Sequence, residues 1–254
     1  MWDVRTIPGR LAGEGSQNPI VRIAPGQPGV SYVVFQTFRQ GFHYIEAARS
    51  MNNGMSYSVI SQVAGPVGPL AQVDGAGGRA VRNLVWQHFA VQPVQQRLLV
   101  SYEDLGRVYA TTSTNGMSWT SPVQVAAARP GRQFQPSIAA MSARMAVLFY
   151  EQPPISGADT IVVGASSPNG TTWASYEVTT TPPDGSIPFE PCPSGDGSAP
   201  GYFGDYVGIV PLALPTDQPA SLVFYGAWAD SRLGCSMTDR FTAVHHHTVG
   251  ARFL

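Results

Sequence analysis

Three eight-residue segments of this 254-residue chain share one pattern, which limits the folds that the chain can adopt. Each has a hydroxyl residue first, Asn-Gly at positions four and five, a hydroxyl at seven and an aromatic at eight. The octets are SMNNGMSY (50–57), TSTNGMSW (112–119) and SSPNGTTW (166–173). Asn-Gly favours tight hairpin turns because both residues accept positive φ, and the flanking hydroxyls can bond the turn backbone. The pattern therefore predicts three equivalent turns, built by Ser50, Asn53, Gly54, Tyr57, Thr112, Asn115, Gly116, Trp119, Ser166, Asn169, Gly170 and Trp173.

Short apolar segments surround each octet in a constant order. Two strand-like segments and a third that leads into the octet precede it, and a fourth follows it. The units cover roughly residues 17–65, 80–127 and 133–180, and a fourth unit without an octet covers 203–250. Four-stranded units repeated at this period are typical of a propeller. The sequence predicts an all-β fold, a β-propeller of four-stranded antiparallel blades, in a single domain over residues 1–254.

The octets resemble the Asp box, Ser-x-Asp-x-Gly-x-Thr-Trp, of the sialidase-like β-propeller superfamily, also called the bacterial neuraminidase repeat. The chain departs from it at position three, where it has Asn52, Thr114 and Pro168. The segments FQPSIAA (134–140), GYFGDYVGI (201–209) and AWADSR (227–232) are also similar to this family. The resemblance implies a glycan as partner, with glycoside hydrolysis as the associated activity, although a fold does not fix a function.

Strand direction sorts the connections of such a propeller into two faces. With the strands of a unit named A to D from the inside outward, the A–B and C–D turns share one face, which we call the octet face. The B–C and D–A connections share the other, which we call the loop face, and the resemblance implies that it carries the substrate. It gathers many charged residues, which suit recognition of a sugar or a carboxylated ligand, although loops are polar in most proteins. They are Glu103, Asp104, Glu151, Asp184, Glu190, Asp196, Asp205, Asp230, Arg39, Arg79, Arg82, Arg132 and Arg232.

Candidate site residues come from this set. The catalytic candidates are Asp230, Glu151, Asp205 and Tyr206, and the substrate-binding candidates are Arg232, Arg39, Arg132 and Glu103. The resemblance implies sialidase chemistry, with an arginine triad, a tyrosine nucleophile and an aspartate acid/base, but no triad aligns, and Arg22 in VRIAP is equally a strand residue. A two-carboxylate glycosidase is the alternative, drawing on Glu103, Glu151, Asp205 and Asp230. Trp2, Trp86, Phe89, Tyr202 and Phe203 are candidates for stacking on sugars or for core packing.

Other classes of site are not indicated. The net charge of −1 gives no field that would attract nucleic acid, and no segment is apolar enough to predict a membrane span or a signal peptide. His245, His246 and His247 alternate sides in a predicted strand, so they cannot converge on one metal ion. We predict neither a metal nor a cofactor.

Two cysteines and two functional alternatives complete the expectations. Cys192 and Cys235 both fall on the loop face. They form either one disulfide, which would indicate an extracellular or cell-surface protein, or two buried thiols; we favour the disulfide.

The functional alternatives to an enzyme are a non-catalytic structural or adhesive propeller and a homo-oligomer in which chains complete one another's sheets.

Overall fold

The computed structural model describes residues 15–69, 73–74, 80–81, 87–142, 144–154, 160–178, 207–212, 223–230 and 245–251. These residues form strands and turns, with no helix among them and therefore no helix that could cross a membrane. The strands are β1 Gly15–Ile23, β2 Ser31–Arg39, β3 Phe42–Ser50, β4 Ser58–Val67, β5 Val73–Asp74, β6 Ala80–Val81, β7 Gln87–Gln92, β8 Arg97–Asp104, β9 Arg107–Ser113, β10 Val123–Gln124, β11 Arg132–Met141, β12 Arg144–Gln152, β13 Ile161–Ser167, β14 Ala174–Glu177, β15 Gly208–Leu212, β16 Val223–Asp230 and β17 His245–Ala251.

Each repeated unit of the sequence contains one antiparallel meander. The sheets have the orders β1-β2-β3-β4, β7-β8-β9-β10, β11-β12-β13-β14 and, with three described strands, β15-β16-β17. We call them blades 1 to 4. The short β5–β6 ribbon, which the sequence does not predict, lies in the connection between blades 1 and 2. The predicted all-β propeller of four-stranded antiparallel blades is confirmed.

Consecutive blades pack face to face through three apolar cores. Alternation along each strand sends successive side chains to opposite faces of a blade, so every blade can contact two neighbours. The core between blades 1 and 2 is built around Val34, Ile45, Phe89 and Val100. The second core joins blades 2 and 3 through Leu99, Ile138, Phe149 and Val163. The third joins blades 3 and 4 through Phe134, Leu148, Ile209 and Phe224.

A serine hydroxyl organises each octet turn. In the first octet, Ser50 Oγ accepts the N–H of Gly54 at 2.9 Å and donates to Asn52 Oδ1 at 2.9 Å. Asn52 Oδ1 in turn accepts the N–H of Ser56 at 2.9 Å. Asn52 stands where the Asp box has its aspartate, and its amide oxygen takes the place of a carboxylate oxygen in the turn.

The second and third octets use a different hydroxyl from the one that the alignment of the octets predicts. Ser113 and Ser167, rather than Thr112 and Ser166, accept the glycine N–H, each at 2.8 Å. In all three turns the serine donates to an asparagine two residues later, and this asparagine is at position three of the first octet but at position four of the other two.

The asparagines of these two octets also accept backbone N–H groups with their side-chain oxygens, as Asn52 does in the first octet. Asn115 Oδ1 accepts the N–H groups of Met117 and Ser118 at 2.8 and 3.0 Å. Asn169 Oδ1 accepts those of Thr171 and Thr172, both at 2.9 Å. In the first octet both residues of the Asn-Gly pair, Asn53 and Gly54, have positive φ. In the second and third octets only the glycine of the pair has positive φ.

The aromatic residues that end the octets pack against inter-blade surfaces. Trp119 packs against the core between blades 1 and 2, and Trp173 against the core between blades 2 and 3. Tyr57 packs on Val33, Phe35 and Ala48, on the side of blade 1 that faces away from blade 2. The octets therefore contribute to blade packing as well as to the turns.

Candidate functional site

The loop face of blades 1 and 2 is built from very tight B–C turns. Gln40 and Gly41 join β2 to β3, and Leu105 and Gly106 join β8 to β9. All four have positive φ, between 49° and 84°, which is the geometry that matches the twist of the flanking strands. These short, rigid turns hold the residues beside them in fixed positions.

The β2–β3 turn carries an aromatic group that we call the aromatic tip: Phe38, Phe42, His43 and Tyr44. Phe38 and Phe42 are 45% and 53% exposed although both are large and apolar. The rings of Phe38 and His43 lie with centroids 4.9 Å apart and tilted by 48°. The tip therefore exposes two large apolar side chains on the face where the sequence predicts a ligand.

His43 is held as a neutral imidazole. Gln36 Nε2 donates to His43 Nδ1 at 2.8 Å, because the amide nitrogen has no lone pair to accept with. The ring proton then lies on Nε2. Burial lowers the pKa of His43, which favours the same neutral form.

Arg39 lies beside the aromatic tip and is anchored from three sides. Its Nη1 donates to Glu46 Oε1 at 2.9 Å, and its Nη2 donates to Gln62 Oε1 at 3.1 Å. Its guanidinium carbon lies 4.2 Å above the centre of the Tyr44 ring. About a third of the side chain remains exposed, at 34%, so the predicted binding residue Arg39 is both oriented and accessible.

Glu151 occupies a buried ion pair that we call the blade 2–3 clamp, formed with Arg129, Arg107 and Gly131. Arg129 Nε donates to Glu151 Oε2 at 2.5 Å. Arg107 Nη1 donates to the carbonyls of Arg129 and Gly131 at 3.0 and 2.6 Å. A Cβ on Gly131 would lie 2.5 Å from Glu151 Cγ, so the carboxylate is enclosed. This geometry gives Glu151 a structural role in fixing the D–A connection, and its catalytic role stays a prediction from the sequence.

The other described candidates on this face differ in accessibility. Glu103 is fully buried, and its role in binding stays a prediction. Arg132 begins β11 and is exposed on the loop face, as a binding residue requires. Asp104 is partly buried and accepts the N–H of Gly68 at 2.7 Å, which links the edges of blades 1 and 2.

Phe89, which the sequence offers for stacking or for core packing, belongs to the core, and so do two tyrosines at the loop-face ends of their strands. Tyr102 and Tyr150 are buried, and burial, with smaller contributions from Asp104 and Tyr109, raises the pKa of Tyr102 well above its usual range. Phe89 is fully buried between blades 1 and 2. The accessible aromatics are instead Phe38 and Phe42. The segment FRQGF, with a ring on each side of a tight turn, was the signal that could have identified them.

The inner strands bring Arg22 and His88 close enough to interact. His88 Nδ1 accepts the N–H of Ile138 at 3.2 Å, joining blades 2 and 3. Burial, and secondly the charge of Arg22, lower the pKa of His88 to about 4. Beside it, Gln87 Nε2 donates to the carbonyl of Asn18 at 2.8 Å and so joins blades 1 and 2.

The remaining candidates are only partly covered by the structure. Asp230 is the last residue of β16, and its backbone lies at the B–C end of that strand, opposite His245. His245, His246 and His247 lie in β17, the final strand that the sequence predicts. Asp205, Tyr206, Arg232, Cys192 and Cys235 lie outside the described residues, as do Trp2, Trp86, Tyr202 and Phe203.

The chain has distant structural similarity to glycan-active proteins. It is similar to an exo-beta-1,3-galactanase from Clostridium thermocellum, with a TM-score of 0.46, 11% identity and coverage of 95% of this chain and 47% of that one. It is also similar to an alpha-L-arabinanase of Penicillium chrysogenum complexed with arabinobiose, with a TM-score of 0.45, 13% identity and coverage of 92% of this chain and 66% of that one. A GH93 alpha-L-arabinofuranosidase of Fusarium graminearum with arabinobiose is similar with a TM-score of 0.42, 11% identity and coverage of 92% of this chain and 71% of that one.

Sequence comparison adds no family. No family model matches the chain, and no curated protein matches it. The chain spans 66% of the arabinanase and 47% of the galactanase, and similarity at this level carries no conclusion about substrate or mechanism. The chain's own sheets therefore define it as a β-propeller.

Proposed function

We propose that this protein binds glycans on its loop face, with the aromatic tip and Arg39 as the first contacts. The observation that carries the proposal is the exposure of Phe38 and Phe42 on either side of a rigid two-residue turn. Sugar rings have apolar faces that stack on aromatic rings, and their hydroxyls bond planar polar groups, so binding sites combine both kinds of side chain.

The polar neighbours of the tip support the same proposal. Arg39 is fixed by Glu46, Gln62 and Tyr44 yet remains partly exposed. A guanidinium that is already oriented loses little conformational entropy when it donates to a ligand hydroxyl or carboxylate. Arg132 is exposed on the same face, at the start of blade 3, and we include it as a secondary contact.

No exposed carboxyl pair is formed by Glu103, Glu151, Glu46 and Asp104. Hydrolysis by the usual scheme needs two carboxyl groups that flank the scissile bond. Glu103 and Glu151 are buried, Glu46 is paired with Arg39, and Asp104 accepts a backbone N–H. Hydrolysis, with Asp230, Asp205 and Tyr206 as its candidates, and sialidase specificity in particular, remain predictions from the sequence.

A glycan array followed by calorimetry on the best ligand tests the proposal. Phe38→Ala and Phe42→Ala should each weaken binding about threefold to tenfold, since an aromatic contact contributes about 0.5–1.5 kcal/mol beyond its buried area. Met117→Ala is the matched control, because Met117 is an exposed apolar residue on the octet face. Equal affinities of wild type and both Phe variants, or a folded protein that binds no glycan, would refute the proposal.

The same ligands test turnover. Wild type and Asp230→Asn are incubated with each bound glycan and with fluorogenic glycosides, sialosides included. Turnover that Asp230→Asn abolishes without loss of binding would establish a hydrolase and make Asp230 part of it. Binding without turnover would favour the adhesive alternative.

We also propose an extracellular or cell-surface location, which the predicted Cys192–Cys235 disulfide would support. Mass spectrometry after alkylation, with and without reduction, tests this bridge. Two thiols alkylated without reduction in freshly isolated protein would contradict it.

A further inference from the structure

The Asn-Gly pairs of the three octets have the same local chemistry but different surroundings. An asparagine before a glycine is prone to deamidation, because glycine has no side chain to hinder attack of its backbone nitrogen on the asparagine carboxamide. The pairs Asn53-Gly54 and Asn115-Gly116 are even followed by the same two residues, Met-Ser. A large difference in reactivity between these two pairs in the folded protein would therefore come from the tertiary structure.

The carboxamides of the second and third pairs are held in place by hydrogen bonds. Asn115 Oδ1 accepts the N–H groups of two later residues at 2.8 and 3.0 Å and the hydroxyl of Ser113 at 3.2 Å. Asn169 Oδ1 accepts three equivalent groups, at 2.9, 2.9 and 3.2 Å. If either carboxamide turns toward its glycine nitrogen, these donors lose their acceptor, which raises the barrier to the reaction.

The carboxamide of the first pair is not held in this way. In that octet the turn is braced by Asn52, whose Oδ1 bonds to Ser50 and Ser56. Asn53 donates its backbone N–H to the carbonyl of Gly29 at 2.9 Å, and in the described part of the chain its carboxamide has no hydrogen-bond partner. The Asn53 carboxamide can therefore rotate without breaking a bond of the turn.

The nucleophilic glycine nitrogens differ in the same direction. Each donates to a serine hydroxyl, at 2.9 Å in the first octet and 2.8 Å in the other two. Gly116 and Gly170 are buried, whereas Gly54 is partly exposed. Attack on the carboxamide requires a base from solvent to remove the proton of this nitrogen, so the Gly54 nitrogen is the most accessible of the three nucleophiles.

We propose that Asn53 is a site of spontaneous deamidation in the folded protein, and that Asn115 and Asn169 are protected from it. The Gly54 nitrogen loses its proton to hydroxide and bonds to Asn53 Cγ. The side-chain nitrogen takes up a proton and leaves as ammonia, which gives a cyclic imide. Water then opens the imide at one of its two carbonyls, so the product is aspartate or isoaspartate.

Both products change the octet face. Each adds a negative charge where the protein has a neutral amide, and isoaspartate also adds one carbon to the backbone of the turn. Asn53 lies in the C–D turn of blade 1, on the face opposite the aromatic tip. The inference is therefore independent of the proposed glycan site.

Peptide mapping by mass spectrometry tests the proposal after incubation of the intact protein at mildly alkaline pH, below its unfolding temperature. Digestion with pepsin at acidic pH limits further deamidation, and electron-transfer fragmentation separates isoaspartate from aspartate. Asn53 should react at least about tenfold faster than Asn115 and Asn169, because at least two hydrogen bonds raise the barrier at those sites. In concentrated urea the three sites should react at similar rates, since their local sequences are alike.

Asn53→Gln is the control variant, because glutamine forms the corresponding imide much more slowly. The fold accepts glutamine at positive φ, as at Gln40 and Gln96, and circular dichroism checks that the variant is folded. It should lose the early product. Folded wild type in which Asn115 or Asn169 reacts as fast as Asn53 would overturn the proposal. So would an early product that survives Asn53→Gln, and aspartate formed without isoaspartate would contradict the imide route.

Discussion

The indole N–H of Trp119 donates to Ser61 Oγ at 2.9 Å, which ties the second octet to the outer strand of blade 1. Ser61 Oγ in turn donates to the carbonyl of Gly116 at 2.5 Å. The turn of one blade is therefore bonded to its neighbour as well as to its own strands. Trp173, the equivalent residue of blade 3, instead donates to Gly170 O of its own turn at 3.1 Å.

This difference predicts unequal effects of removing the indole donor. Trp119→Phe should lower the free energy of unfolding by about 1–2 kcal/mol, and Ser61→Ala should lower it by a similar amount. Each substitution removes the hydrogen bond between the indole and the Ser61 hydroxyl, which lies in a partly buried site. In a double-mutant cycle, the pair should show a coupling energy of about 0.5–1.5 kcal/mol. Urea denaturation of the four proteins measures it.

Trp173→Phe combined with Ser61→Ala is the matched control cycle. These residues make no bond to each other, so their effects should add. A coupling energy for Trp119 and Ser61 no larger than that of the control would show that the bond between blades contributes nothing to stability.

The octet turns predict a contrast between adjacent serines. Ser167→Ala should destabilise the fold by about 1–3 kcal/mol, because it leaves the buried N–H of Gly170 without its acceptor. Ser166→Ala should cost much less, since Ser166 makes none of the serine bonds of this turn and is partly exposed. Thermal and denaturant unfolding compare the two. If Ser166→Ala were the more damaging substitution, the role assigned to Ser167 would be wrong.

His88 predicts a pH dependence of stability. Its pKa is about 4 in the folded protein, against about 6.5 in an unfolded chain. Between these values the unfolded state binds more protons, so stability falls as the pH falls from 6.5 toward 4. The loss attributable to this group is about 3 kcal/mol once the pH is below both values.

A comparison with His88→Gln isolates this contribution. Wild type should lose more stability than His88→Gln between pH 7.5 and pH 5, measured by denaturant unfolding at each pH. An NMR titration of the His88 ring should show no protonation near pH 6. Parallel stability curves for the two proteins, or a ring that titrates at its ordinary pKa, would contradict the interpretation.

The blade 2–3 clamp predicts a structural role for Glu151. Glu151→Gln should lower the free energy of unfolding by about 1–3 kcal/mol, because Arg129 is left partly buried beside a neutral amide. Glycan affinity should stay unchanged, since the Glu151 side chain is buried. Arg129→Gln should destabilise similarly and serves as the partner variant. A stable Glu151→Gln protein that had lost turnover would instead support the catalytic role predicted from the sequence.

Local sequence patterns were sufficient to predict the strands of the blades and their order, although not the β5–β6 ribbon. The strands Phe42–Ser50 and Arg107–Ser113 each lead into an octet, as the order of the apolar segments predicts, because apolar alternation and the flanking turn residues mark strand ends within a few positions. The repeated octet predicted the turn locations for the same reason. It did not predict which hydroxyl bonds the turn: Thr112 and Ser113 both carry one, and only the strand register decides which of them reaches the glycine N–H.

The candidate site was only partly predictable. Sequence order placed Arg39, Glu103, Glu151 and Arg132 at the loop-face ends of their strands, where the structure has them. The packing of blade 3 on blade 2 enclosed Glu103 and Glu151, while the tight turn at Gln40–Gly41 left Phe38 and Phe42 exposed. Strand direction is a local property that the sequence determined by itself. Solvent access was decided only by the tertiary structure, because it depends on contacts between residues that are distant in the chain, such as Trp119 with Ser61.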